Sequence, residues 1–133
     1  MKFVALLLTL FLFSGFSYFN ISTMPDCQVE QIFKWVQAKH LIWRLTNPYV
    51  IITGKRPILP GQSSDIIGQL VDGDYYSGLY TPRDRTIEYV EGDATVLAHE
   101  VAHAFGANEK EATKVSDEFH QKFIFKRCID RSS

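Results

Sequence analysis

The segment from Gly92 to Gly106 constrains the fold more than any other, because it reads as a helix marked at both ends and divided between two chemistries. Asp93 stands where a side chain can accept from the first free backbone N–H groups, and Gly106 stands where a helix can end in the left-handed conformation. The spacing predicts a helix from Ala94 to Phe105. Leu97, Val101 and Phe105 recur at every fourth position and form an apolar stripe that must be buried. His99 and His103 are also four apart, so their rings emerge one turn above the other on a different face. The fold must therefore cover one side of this helix with core and leave another open to a cleft.

The remaining elements surround that helix in the order helix, strands, helix, helix, which predicts an α+β domain. Pro25-Asp26 starts a first helix whose Val29, Ile32, Phe33, Val36 and His40 recur at helical spacing up to about Trp43, before Asn47-Pro48 breaks it. Tyr49 to Thr53 is a β-branched run ended by Gly54 and reads as a strand. Lys55 to Gly73 is rich in Pro, Gly and Ser and reads as a loop, with one helical turn around Ile66, Ile67, Leu70 and Val71. Tyr75 to Thr81 and Thr86 to Val90 are strand candidates joined by the turn residues Pro82 to Arg85, a β-hairpin. Asn108 caps a last helix with the buried stripe Ala112, Val115, Phe119 and Phe123.

Chemistry concentrates in Leu97-Ala-His-Glu-Val-Ala-His103. Two imidazoles one turn apart can hold one Zn²⁺ at about 2.0 to 2.1 Å. Glu100 is rotated by about 100° from His99, which sets its carboxylate beside such a metal as a base for water. A metal site of this kind takes a third protein ligand, and Glu109 and Glu111 follow at the start of the next helix. Glu111 borders the buried stripe next to Ala112 and is the favoured ligand. A capping box with Asn108 pulls Glu111 the other way, and Glu109 at the helix N-terminus is the alternative.

Gly78-Leu-Tyr80, Thr86-Ile-Glu-Tyr89, Leu97 to His103 and Glu109-Lys-Glu-Ala112 together resemble the core of zincin metallopeptidases of the gluzincin type, over roughly residues 78 to 120. The resemblance implies a minimal zincin-like domain: an N-terminal helix, a small sheet, the His-Glu-x-x-His helix and a C-terminal helix. It also implies zinc held by His99, His103 and Glu111, Glu100 as general base, and a peptide or protein substrate paired with the strand Thr86 to Val90. The short distance from His103 to the candidate glutamates departs from larger gluzincins, and the histidine and glycine of the metzincin extension are lacking. The other reading is a zinc-stabilised binding or interaction module without turnover. Glu100 separates the two, because a structural site needs no base beside its histidines.

Several further residues have an ordinary reading beside a functional one. His120 could donate a proton in the cleft or be a surface or core histidine. His40 reads as a core histidine of the first helix. Tyr80 and Tyr89 could stabilise an oxyanion or be aromatics of half-buried strands.

Lys2 followed by the apolar run Phe3 to Phe13 and the small residues Ser14, Gly15 and Ser17 has the layout of a secretory signal peptide, residues 1–17, preceding a domain over 18–133. The alternative is a retained membrane anchor, since no charge falls between Phe3 and Pro25. Either reading places the domain outside the cytoplasm, periplasmic or secreted, or held at a membrane by its N-terminus. In an oxidising space Cys27 and Cys128 would pair; otherwise they are two free thiols. The 14 basic and 15 acidic side chains gather into no basic stripe, which argues against nucleic acid as a partner.

Overall fold

The computed structural model describes residues 17–55, 70–71, 74–75 and 78–128. The elements are β1 (Ser17–Asn20), α1 (Asp26–Gln37), α2 (Leu41–Arg44), β2 (Tyr49–Lys55), β3 (Leu70–Val71), β4 (Asp74–Tyr75), β5 (Gly78–Thr81), β6 (Thr86–Val90), α3 (Ala94–Ala104) and α4 (Glu109–Lys122). They form an α+β fold with a four-stranded mixed sheet in the order β1-β2-β6-β5. β1, β2 and β6 run parallel, and β5 pairs antiparallel with β6 as the first arm of a hairpin. Arg85, with φ 54°, takes the left-handed position in that hairpin's turn.

One face of the sheet is the floor of the core. Val50 and Ile52 from β2 and Ile87 and Tyr89 from β6 alternate inward and are fully buried, as a period of two requires. Val29, Ile32, Phe33 and Val36 of α1 and Leu97, Ala98, Val101 and Ala102 of α3 close over them. α3 is central: it packs against α1, α4, β5 and β6. Its expected stripe, Leu97, Val101 and Phe105, is buried throughout.

Three expectations are corrected by the structure. The first helix stops at Gln37, and His40 is extended (φ −136°, ψ 139°) before the separate turn of α2. A straight helix would carry Trp43 about 10 Å beyond Val36. The break folds it back instead, so that its ring stacks on Phe105 at 5.9 Å between centroids. His40 consequently is not a core residue; its side chain is half exposed. Leu70 and Val71 pair antiparallel with Asp74 and Tyr75 rather than forming a helical turn, while Ile66 and Ile67 lie outside the described residues. Thr86–Val90 is paired on both sides, by β2 and β5, so among the described residues the edge strand beside α3 is Gly78–Thr81.

β1 was not foreseen from the sequence. Tyr18 points inward and stacks on Phe33 at 5.5 Å, whereas Phe19 is exposed. The expected signal segment lies almost wholly outside the described residues, which begin at Ser17. Among the described residues no helix is long and apolar enough to cross a membrane.

Cys27 on α1 and Cys128 after α4 are joined in a disulfide, with Cα atoms 5.9 Å apart. The bridge spans 101 residues and ties the first turn of α1 to the segment after α4. Gln31 supports the same junction by accepting from Lys126 N at 2.7 Å and donating to Lys126 O at 3.0 Å. Replacing both cysteines with Ser is expected to lower the unfolding free energy by about 4 to 5 kcal/mol, because a loop of this length is released in the unfolded chain. Urea unfolding of the two proteins measures this; an unchanged midpoint would deny the bridge that role.

Candidate metal centre

The site is built by two helices and the turn between them. Asp93 caps α3 by accepting from Val96 N at 3.1 Å, and Gly106 (φ +105°) ends the helix as expected. Asn108 then caps α4 by accepting from Glu111 N at 2.8 Å. Three contacts show that α4 runs back along α3: Glu109 meets His103, Ser116 meets His99, and His120 meets Thr95 at 3.4 Å. The chain positions rise on one helix as they fall on the other.

This reversal brings one carboxylate onto both imidazoles. Glu109 Oε1 lies 2.9 Å from His99 Nε2, and Glu109 Oε2 lies 2.9 Å from His103 Nε2. Thr113, one turn further along α4, donates to Glu109 Oε1 at 3.5 Å. Glu111, favoured from the sequence, faces away from this cluster, with its carboxylate 3.9 Å from His40 Nε2. The physical reason is the helical step: two residues on, a side chain is turned by about 200°. A signal for Glu109 was present in the spacing of Glu109, Thr113, Ser116 and His120, which places four polar side chains along one edge of α4.

Each histidine is held at its other nitrogen. His103 Nδ1 lies 2.9 Å from Ala107 O, and since a carbonyl only accepts, Nδ1 carries the proton. His99 Nδ1 lies 3.3 Å from the hydroxyl of Ser116. His103 therefore stands between two acceptors, a carbonyl and a carboxylate. Its Nε2 side calls for a positive partner, either a proton or a metal ion.

Electrostatics agree with that demand. Burial lowers the pKa of His99, against the opposing pull of Glu109, and so favours the neutral ring that has a lone pair to give. Partial burial raises the Glu109 carboxyl, but the charges and hydrogen bonds of His99 and His103 outweigh it and the net direction is down. Glu109 is thus an anion under ordinary conditions.

Glu100 occupies a different environment. Its side chain is buried, and among the described residues no hydrogen-bond donor contacts its Oε2. Burial pushes its pKa up to about 7, with His103 and the backbone N–H of Tyr80 acting against the rise. Gly78 permits this approach of β5 to α3, because a Cβ there would collide with Val96 and lie 3.1 Å from Glu100 Cγ. The ligand-type atoms of His99, Glu100 and His103 fall within 4.8 Å of one another, a group that could hold a metal ion.

Glu100, His103 and Glu109 line a cleft of about 320 Å³ with Leu79, Tyr80, Pro82, Gly106 and Ala107. Tyr80 is thus at the site. Tyr89 is not: it is fully buried and donates its hydroxyl to Ser22 Oγ at 2.9 Å. His120 is exposed beside Thr95, one turn before His99, and does not line this cleft. No family model, curated protein or solved structure matches the chain.

The raised pKa of Glu100 has a consequence for stability. Between pH 4.5 and about 7 the folded protein keeps a proton that the unfolded chain gives up, so stability falls as pH rises through that window. Glu100→Gln removes the ionisation. In metal-free protein it is expected to gain stability above pH 7, by on the order of 3 kcal/mol at most, and to gain almost nothing at pH 4. Urea unfolding at the two pH values measures the difference; an equal effect at both would contradict the buried ionisation.

Proposed function

We propose that the chain is a zinc-dependent peptidase of the zincin type, with His99, His103 and Glu109 as metal ligands and Glu100 as general base. The observation that carries the reading is the convergence of both Nε2 atoms on the one carboxylate of Glu109, at 2.9 Å each, while both Nδ1 atoms are engaged elsewhere. Two imidazole nitrogens and a carboxylate are a donor set that suits zinc and leaves a position open for substrate. A divalent ion held there supplies Lewis acidity toward a carbonyl oxygen and toward water.

The protein's own groups then divide the remaining work. Glu100, with a pKa of about 7 and an oxygen that meets no donor among the described residues, takes a proton as the water oxygen bonds to the scissile carbonyl carbon. The same proton passes to the amide nitrogen as the C–N bond breaks, and the carboxylate is restored. An extended peptide adds to Gly78–Thr81, the edge strand of the sheet among the described residues, whose other side is paired with β6. A buried acid held at the cleft floor favours catalysis over a purely structural zinc site, which gains nothing from it. The disulfide suits the exported location read from the N-terminal segment.

The test uses zinc-loaded protein and a mixed peptide library, with and without chelator. Hydrolysis is expected with zinc and lost with chelator. Glu100→Gln should keep zinc while hydrolysis falls by roughly 10²-fold or more. Glu109→Gln should weaken zinc binding, and Glu111→Gln should leave it unchanged. Zinc bound without hydrolysis would instead support a zinc-stabilised binding module, and no zinc bound would end the metal reading altogether.

A further inference from the structure

Ser116 is one of two buried polar or charged side chains among the described residues, the other being Glu100, and it lies directly behind His99. Its hydroxyl has two neighbours. Oγ lies 3.0 Å from Thr113 O, one turn back on α4, and 3.3 Å from His99 Nδ1. A hydroxyl has one proton to give, and Thr113 O can only accept. With that proton on Thr113 O, Ser116 Oγ presents a lone pair to His99 and accepts from Nδ1–H.

We infer that Ser116 is the positioning residue that fixes the ring of His99 for metal binding, by accepting its Nδ1 proton and so aiming Nε2 at the point shared with His103. The inference rests on the zinc reading above and adds a role for a residue that does not touch the metal. His103 has the corresponding support from Ala107 O, a backbone carbonyl that no substitution removes. The two histidines therefore differ in how they can be perturbed. His103 is oriented by the turn after α3, whereas His99 is oriented by one side chain of α4. Partners of this outer kind typically change metal affinity by about 10- to 100-fold, through ligand orientation and basicity.

The folded, disulfide-bonded chain is the material for the test, with zinc affinity read by competition against a chromophoric chelator. Ser116→Ala is expected to bind zinc about tenfold more weakly, and Ser116→Thr, which keeps the hydroxyl, to restore most of the loss. Thermal melting of the metal-free proteins separates this from a folding defect, since a positioning role leaves the metal-free melting temperature of the Ala and Thr variants alike. The unsubstituted chain gives a second readout: in long-range ¹H–¹⁵N spectra of the zinc-loaded protein, the Nδ1 proton of His99 should be observed and slow to exchange with solvent, and it should be lost in Ser116→Ala. Zinc affinity unchanged in Ser116→Ala, or a freely exchanging His99 Nδ1 proton in the unsubstituted chain, would overturn the assignment and leave the zinc reading intact. An unsubstituted chain that binds no zinc would overturn both.

Discussion

The burial of Leu97, Val101 and Phe105 decides the orientation of α3, and nearly everything at the candidate site follows from that orientation. Once this stripe faces the core, His99 and His103 can only look toward α4, and Glu100 can only look toward β5. Burying a side chain of this kind is worth about 1.5 to 3 kcal/mol against exposure. Rotating the helix to point its histidines elsewhere would expose all three. The hydrophobic effect, which has no directionality of its own, thus acts through helical periodicity to hold polar groups in fixed directions.

The site that results is short of positive charge. Glu109 is anionic, His103 is flanked by two acceptors, and His99 is pushed by burial toward its neutral form. The Glu109 carboxylate faces the Nε2 atoms of both rings at 2.9 Å. Under the proposed reading, a divalent ion at that point would satisfy all three groups at once. Glu100 stands apart, since among the described residues one of its oxygens meets no donor and burial raises its pKa to about 7. Two glutamates within one cluster are thereby pushed in opposite directions, Glu109 toward its charged form and Glu100 toward its protonated form.

Local signals made much of this readable from the residues alone. The caps at Asp93 and Asn108, the end at Gly106 and the turn after Thr81 are short-range features, and each is found where the sequence places it. What escaped was non-local. β1 is recognisable only through its parallel pairing with β2, some thirty residues away, and four residues carry little pattern of their own. The end of α1 at Gln37 depends on Trp43 folding back onto Phe105, a contact between distant parts of the chain. The choice between Glu109 and Glu111 turned on the rotation of α4 about its axis, which the buried stripe constrains only loosely. The polar edge formed by Thr113, Ser116 and His120 settles which glutamate meets the histidines, and it becomes meaningful only once α4 is known to lie along α3.

The central claim is that His99, His103 and Glu109 hold one metal ion together. Zinc-edge anomalous diffraction from crystals of the chain loaded with one equivalent of zinc tests it most directly. The account predicts a single strong peak within about 2.0 to 2.2 Å of His99 Nε2, His103 Nε2 and a Glu109 oxygen. A peak at His40 and Glu111 instead, or no ordered zinc on α3, would contradict it.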